Sequence, residues 1–169
     1  MVYNGFEDDI GGKNMNNVKI NNEINLTYPD GFNEMGEEEL KKYFGTPNNR
    51  WGVHDAPNHV ILSVCWTKKG FFSFFADPES FLIGAESRLH KRLLNYQRIG
   101  QFKTKIASKK AQGIRFEYRV NDSVIVQVCD LYAFKHKNKI YAVYYILRKN
   151  DAIEKLPAFE EILKSITAE

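Results

Sequence analysis

The residues point to an α+β chain: a three-layer α/β/α sandwich with a central, mostly antiparallel sheet and a C-terminal helix. Three observations carry that expectation. Four β segments follow Gln101 with connections too short for anything but antiparallel neighbours. The last two of these segments are apolar on both faces, and such a strand needs a cover on both. Amphipathic helical stripes, the longest over 79–98, are available as the covers.

Taken in order, residues 1–17 are rich in Gly, Asn and Asp and read as a flexible arm, leaving 18–169 as one domain. Val18 and Ile20 suit a short strand. Asn21 and Asn22 suit a tight turn into Ile24, Leu26 and Tyr28, which alternate with Asn25 and Thr27. Pro29, Asp30 and Gly31 supply the turn that ends it. Residues 37–44 form a short helix, with Glu37, Glu38 and Glu39 at its positive end and Lys41 and Lys42 at its negative end. Gly45 stops it and Pro47 forbids its continuation. So short a helix must lean on a core, through Leu40, Tyr43 and Phe44. Residues 46–58 read as a loop and His59 to Thr67 as an apolar strand, ended by Lys68, Lys69 and Gly70. Helix 79–98 carries the stripe Leu82, Ala85, Leu89, Leu93 and Tyr96. Ile83 and Leu94 lie off that stripe; they rest under loop 70–78, crowded with Phe71, Phe72, Phe74 and Phe75, or contact another chain.

The meander is expected at 102–108, 113–120, 124–134 and 140–148. Setting Ile106 opposite Ile114 keeps the apolar faces together. That register pairs Lys103 with Glu117 and places Lys105 against Arg115. The chain closes in a helix over 157–168. Pro157 suits its first turn, and Leu156, Phe159, Leu163 and Ile166 form its apolar stripe.

Composition narrows the functional classes. No run approaches the roughly 18 apolar residues of a membrane helix, so no membrane insertion is expected. No basic-then-apolar stretch opens the chain, so a cytoplasmic location is expected. Two cysteines make neither a disulfide scaffold nor a four-ligand zinc site, and no phosphate-binding loop or nucleophile motif occurs. No cofactor is therefore expected. Cys65 and Cys129 read as small buried apolar residues, and Trp51 and Trp66 as core or loop anchors. His54, Asp55 and His59 are close in sequence but match no metal-site spacing.

Charge is uneven. Residues 1–60 hold 10 acids and 5 bases, whereas 61–169 hold 11 acids and 19 bases. Window 88–119 has ten bases against Glu117 alone. Such a window attracts an acidic protein or a nucleic acid, or is simply a solvated face. Its candidate binding residues are Arg88, Lys91, Arg92, Lys103, Lys105, Arg115 and Arg119. Asp130 stands apart, because a regular strand puts it on the buried face of Val128 and Tyr132. Tyr144 or Tyr145 on the next strand offers it a hydroxyl. The site is then either a desolvated acid for small-molecule chemistry or a structural, hydrogen-bonded carboxylate.

The order of pieces resembles the PsbP-like and Ran-binding Mog superfamily. The resemblance rests on the segment Ile24 to Phe32 (INLTYPDGF), the meander segments Gly113 to Tyr118 (GIRFEY) and Lys139 to Tyr145 (KIYAVYY), and the closing Phe159 to Ile166 (FEEILKSI). It covers about 20–167. It implies an α/β/α sandwich, and a bacterial member of unknown function acting as a binding or accessory protein. No metal- or partner-binding position transfers, because no motif of that kind is matched. The expected function is thus a non-enzymatic protein-binding or accessory domain with an acidic partner. Polyanion binding through 88–119 and an enzyme built on Asp130 are the alternatives.

Overall fold

In the computed structural model, which describes residues 14–68 and 76–169, ten strands and three helices follow one another. They run β1 (Met15–Ile20), β2 (Ile24–Pro29), β3 (Asn33–Glu34), α1 (Glu37–Phe44), β4 (Arg50–Asp55), β5 (Val60–Trp66) and α2 (Pro78–Arg92). Then come β6 (Leu94–Ile106), β7 (Lys109–Arg119), β8 (Val126–His136), β9 (Lys139–Arg148), a 3-10 turn (Lys149–Asp151), α3 (Ala152–Ser165) and β10 (Thr167–Ala168). Loop residues 69–75, which include Phe71, Phe72, Phe74 and Phe75, lie outside the described residues, as does the expected arm up to Lys13. The end of that arm is not an arm: β1 begins at Met15 and pairs with β2 from Met15↔Pro29 onward.

Tight turns set the registers. Asn21 and Asn22, Ala107 and Ser108, and Lys137 and Asn138 all have φ between 45° and 61°. Two consecutive left-handed residues make the turn whose twist matches that of the flanking strands. The Asn21–Asn22 turn was legible, whereas Ala107–Ser108 carries no turn chemistry in its residue types. The β6–β7 register is accordingly different from the expected one: Ile106 faces Lys109, Lys105 faces Lys110, and Lys103 faces Gln112. Glu117 instead receives Lys149 Nζ at 2.8 Å.

The central sheet has seven strands in the order β3-β4-β5-β9-β8-β7-β6, all antiparallel. β8 and β9 lie inside it and are covered on both sides. On one side Phe134, Tyr141, Val143, Tyr145 and Leu147 meet Phe159, Ile162 and Ile166. On the other, Cys129, Leu131, Ala133, Ala142 and Ile146 meet Leu40, Leu82 and Ala85. The three layers hold, with one refinement. The α3 side is shared with a second sheet, β1-β2-β10, which contributes Ile20, Ile24 and Leu26.

Three element boundaries differ most from expectation. β4 occupies part of the segment read as a loop; Trp51 and Val53 face the α3 side while pairing with β5. α2 ends at Arg92, with Leu93 already extended (φ −96°, ψ 131°). Leu94 to Ile106 then pair with β7, with Asn95 left-handed and register shifts near 94–97 and 98–100. A long strand partner outweighs the helical period of Leu93 and Tyr96, because β7 otherwise keeps unpaired backbone groups. α3 begins at Ala152, not 157, so Pro157 lies in its second turn.

The two sheets meet at Glu23. Tyr141 donates its hydroxyl to Glu23, Lys139 Nζ donates to both carboxylate oxygens at 2.9 and 3.0 Å, and Asn21 Nδ2 donates to the Tyr141 hydroxyl at 2.8 Å. Burial opposes ionisation of Glu23, but the Tyr141 hydroxyl and the Lys139 ammonium outweigh it and hold the carboxyl below its ordinary 4.5. A carboxyl lowered in the folded state adds stability that is complete above its unfolded value and disappears as pH falls through the lowered one. Denaturant midpoints taken from about pH 6 down to about pH 3 will fall less steeply in Glu23→Gln than in the unaltered protein. Equal slopes would refute this.

Candidate functional site

α1 and α2 do not close over the sheet between them. A groove of about 530 Å³ remains, with a side cleft of about 80 Å³ beneath it. Its floor is Tyr144 from β9 with Cys65 from β5, bordered by Trp66, whose ring turns to Tyr141 on the α3 side; Phe44 from α1 forms one wall, and Phe81 and Leu89 from α2 the other. The wall is tied across its end. Gly45, at φ 81°, stops α1 with its N–H on the Lys41 carbonyl, and Arg92 Nη1 donates to the Phe44 carbonyl at 3.3 Å. A guanidinium on a helix C-terminus satisfies a free carbonyl and opposes the negative end of the dipole.

Four cations line this space: Arg50, Arg88, Lys91 and Arg92. No carboxylate stands among the described lining residues. Arg88 and Lys91 form no ion pair among the described residues. Arg50 comes from β4 opposite Cys65. Its guanidinium carbon lies 3.9 Å from the Phe44 ring centre and 4.9 Å from that of Tyr144. Its Nη1 donates to Ser63 Oγ at 3.0 Å, and Ser63 Oγ donates to the Trp51 carbonyl at 2.8 Å. Its Nε is buried without a partner. Burial pushes the Cys65 thiol up, although Arg50, Tyr144 and Arg88 oppose this, so the groove holds a neutral thiol rather than a thiolate nucleophile.

The expected binding residues do not form one surface. Arg88, Lys91 and Arg92 gather at the groove with Arg50. Lys103 faces Gln112, whose Nε2 donates to Glu79 at the start of α2, about 15–20 Å of helix away from Arg92. Lys105 lines a separate cleft with Leu163 and Lys164 at the end of α3, on the opposite face of the sheet. Arg119 sits at the end of β7, opposite Leu94 and Val126. Arg115 is on the α3 side and is committed to Asp130. The expected clustering followed from treating 79–98 as one helix beside a shorter strand; the real helix end and the β6–β7 register separate these bases.

Asp130 is buried, but its partner is not a tyrosine. Arg115 Nε and Nη2 donate to its two oxygens at 2.6 and 2.8 Å, from the directly opposed position on β7. Phe102 lies beside the guanidinium, its ring centre 5.3 Å away. Tyr145 faces Asp130 in register yet stacks on Phe159, and Tyr144 points to the groove on the other side. A carboxylate with both oxygens taken by a fork of donors is a structural pair, not an open acid. His54 and His59 are also apart: His54 Nδ1 is 3.6 Å from Glu39, whereas exposed His59 sits in the β4–β5 turn at φ 55°.

Arg50 was missed because it lies in the segment read as a loop. The available signal was the alternation of Trp51 and Val53 just before the turn residues Asp55 to Asn58.

The chain has the fold of PsbP and Mog1. It is similar to the cyanobacterial PsbP (CyanoP) of Synechocystis sp. PCC 6803, with TM-score 0.66 and 10% identity over 98% of each chain. It is similar to the Ran-binding protein Mog1p of Saccharomyces cerevisiae, with TM-score 0.59 and 8% identity over 92% of this chain and 95% of that one. A protein of unknown function from Pseudomonas aeruginosa, PA94, matches with TM-score 0.54 and 9% identity over 89% and 94%. No protein-family model and no curated protein sequence matches the chain. Among the described residues no helix is long and apolar enough to cross a membrane.

Proposed function

We propose that the chain is a non-enzymatic accessory domain that binds an acidic segment of a partner protein in the groove between α1 and α2. The observation that carries this reading is the groove's charge, four cations with no carboxylate among the described residues to answer them. Unbalanced positive charge over an apolar floor steers and holds an acidic chain. The likeness to Mog1p, a Ran-binding protein, supports a protein as the partner. The neutral Cys65 thiol and the committed Asp130 support a binding rather than a catalytic role.

Fluorescence anisotropy with a labelled peptide of alternating Asp and Gly tests it. Arg88→Glu with Lys91→Glu reverses two charges that form no ion pair among the described residues, at little structural cost, and binding is expected to weaken about tenfold. Unchanged affinity would discard the groove. A single-stranded oligonucleotide that binds more tightly than the peptide at about 150 mM salt would replace the protein partner by a nucleic acid.

A further inference from the structure

Arg50 is unlike the other three cations of the groove. Arg88, Lys91 and Arg92 are exposed at the rim, where water solvates them. The Arg50 guanidinium is packed against two aromatic rings that meet edge-on, Phe44 and Tyr144, with Nη1 spent on a neutral hydroxyl and Nε buried without a partner. A partly buried cation with one donor shut off from water gains from a counter-charge, and the two rings offset only part of its cost. No described residue supplies an ion pair to it.

We propose that the inner end of the groove is a carboxylate pocket, and that the partner segment carries an acidic residue next to an aromatic one. The carboxylate engages the Arg50 guanidinium, and the neighbouring ring packs on Phe81 and Leu89. This rests on the reading of the groove as a site for an acidic segment and makes it specific. Bulk charge needs only the rim cations, whereas Arg50 demands one carboxylate brought to the partly buried inner end of the groove. There a charge-assisted hydrogen bond is stronger than at the surface. The space suits a side chain with an apolar body, since the groove of about 530 Å³ joins a cleft lined by Phe116, Cys129, Tyr144 and Ile146. Lysine does not replace arginine here, because an ammonium neither stacks on a ring face nor presents a planar fork.

Two measurements test it. The first uses the unaltered protein, labelled with nitrogen-15, and a peptide of about ten residues with one Glu-Phe pair set in Gly and Ser. The Arg50 Nε–H resonance is expected to shift and to exchange more slowly with water as the peptide saturates. Peptides carrying Gln-Phe or Glu-Gly instead are expected to bind about tenfold more weakly, the loss of one charge-assisted bond or one buried ring. The second uses Arg50→Lys, which keeps the net charge. It is expected to lose about tenfold toward the Glu-Phe peptide and little toward the Asp-Gly peptide. If this variant fails to fold by circular dichroism, the resonance measurement still decides. An unmoved Arg50 resonance at saturation, or equal binding of the Gln-Phe peptide, overturns the pocket. Binding of the Asp-Gly peptide with no preference for Glu-Phe at equal charge overturns the pocket and leaves the groove standing; binding of neither removes both.

Discussion

Phe159→Ala will lower the free energy of unfolding by about 3–5 kcal/mol. Phe159 is 1% exposed and is the ring through which α3 grips the central sheet. It stacks parallel on Tyr145 with centres 4.6 Å apart and meets Tyr132 edge-on at 5.8 Å. Truncation removes a whole ring from a close-packed layer, and the two tyrosines are held by their own strands and cannot collapse into the space. In a chain of this length a loss of that size lowers Tm by about 10 °C. Ile153→Ala is the control on the same helix, because Ile153 is 95% exposed and its loss should stay within about 0.5 kcal/mol. Urea unfolding of the two variants provides the comparison. A Phe159→Ala protein within about 1 kcal/mol of the parent would mean that α3 is not the cover of this face.

The second large effect is an asymmetry within one pair. Arg115→Met leaves Asp130, 2% exposed, with no cation for either oxygen, and is expected to cost about 3 kcal/mol. Asp130→Asn leaves Arg115 unpaired instead, but the arginine side chain is 31% exposed and water takes up part of the loss. That change should cost about 1–2 kcal/mol. Removing both charges, in Arg115→Met with Asp130→Leu, should recover much of the loss, because the remaining carboxylate is the source of the penalty. A double-mutant cycle measures all three. Equal losses in the two single variants, or a double variant no better than Arg115→Met, would show that desolvation of Asp130 does not govern this site.

The elements differ in how much of them could be read from residue types. α1 was legible at both ends because its signals are local: three glutamates, two lysines, then Gly45 with the left-handed backbone the stop requires. The double-faced apolar character of β8 and β9 was legible because burial on both faces leaves no polar alternation. The end of α2 was not, since Leu93 and Tyr96 fit a helical stripe and only the backbone needs of β7 make them strand. The same holds at the candidate site. Arg88, Lys91 and Arg92 were visible as bases, but nothing in their spacing tells which other bases join them.

Strand content, layer order and the buried place of Asp130 follow from residue periodicity, since alternation and capping act over a few residues of chain. Folding in three dimensions settled what is long-range. It put Arg115 opposite Asp130 where a tyrosine was expected, moved Lys103 and Lys105 away from α2, and brought Arg50 from β4 against the rings of Phe44 and Tyr144. The physical reason is register. A two-residue turn at Ala107 and Ser108 changes every cross-strand neighbour after it, and a pair's energy depends on which side chains end up opposed rather than on which occur nearby in sequence.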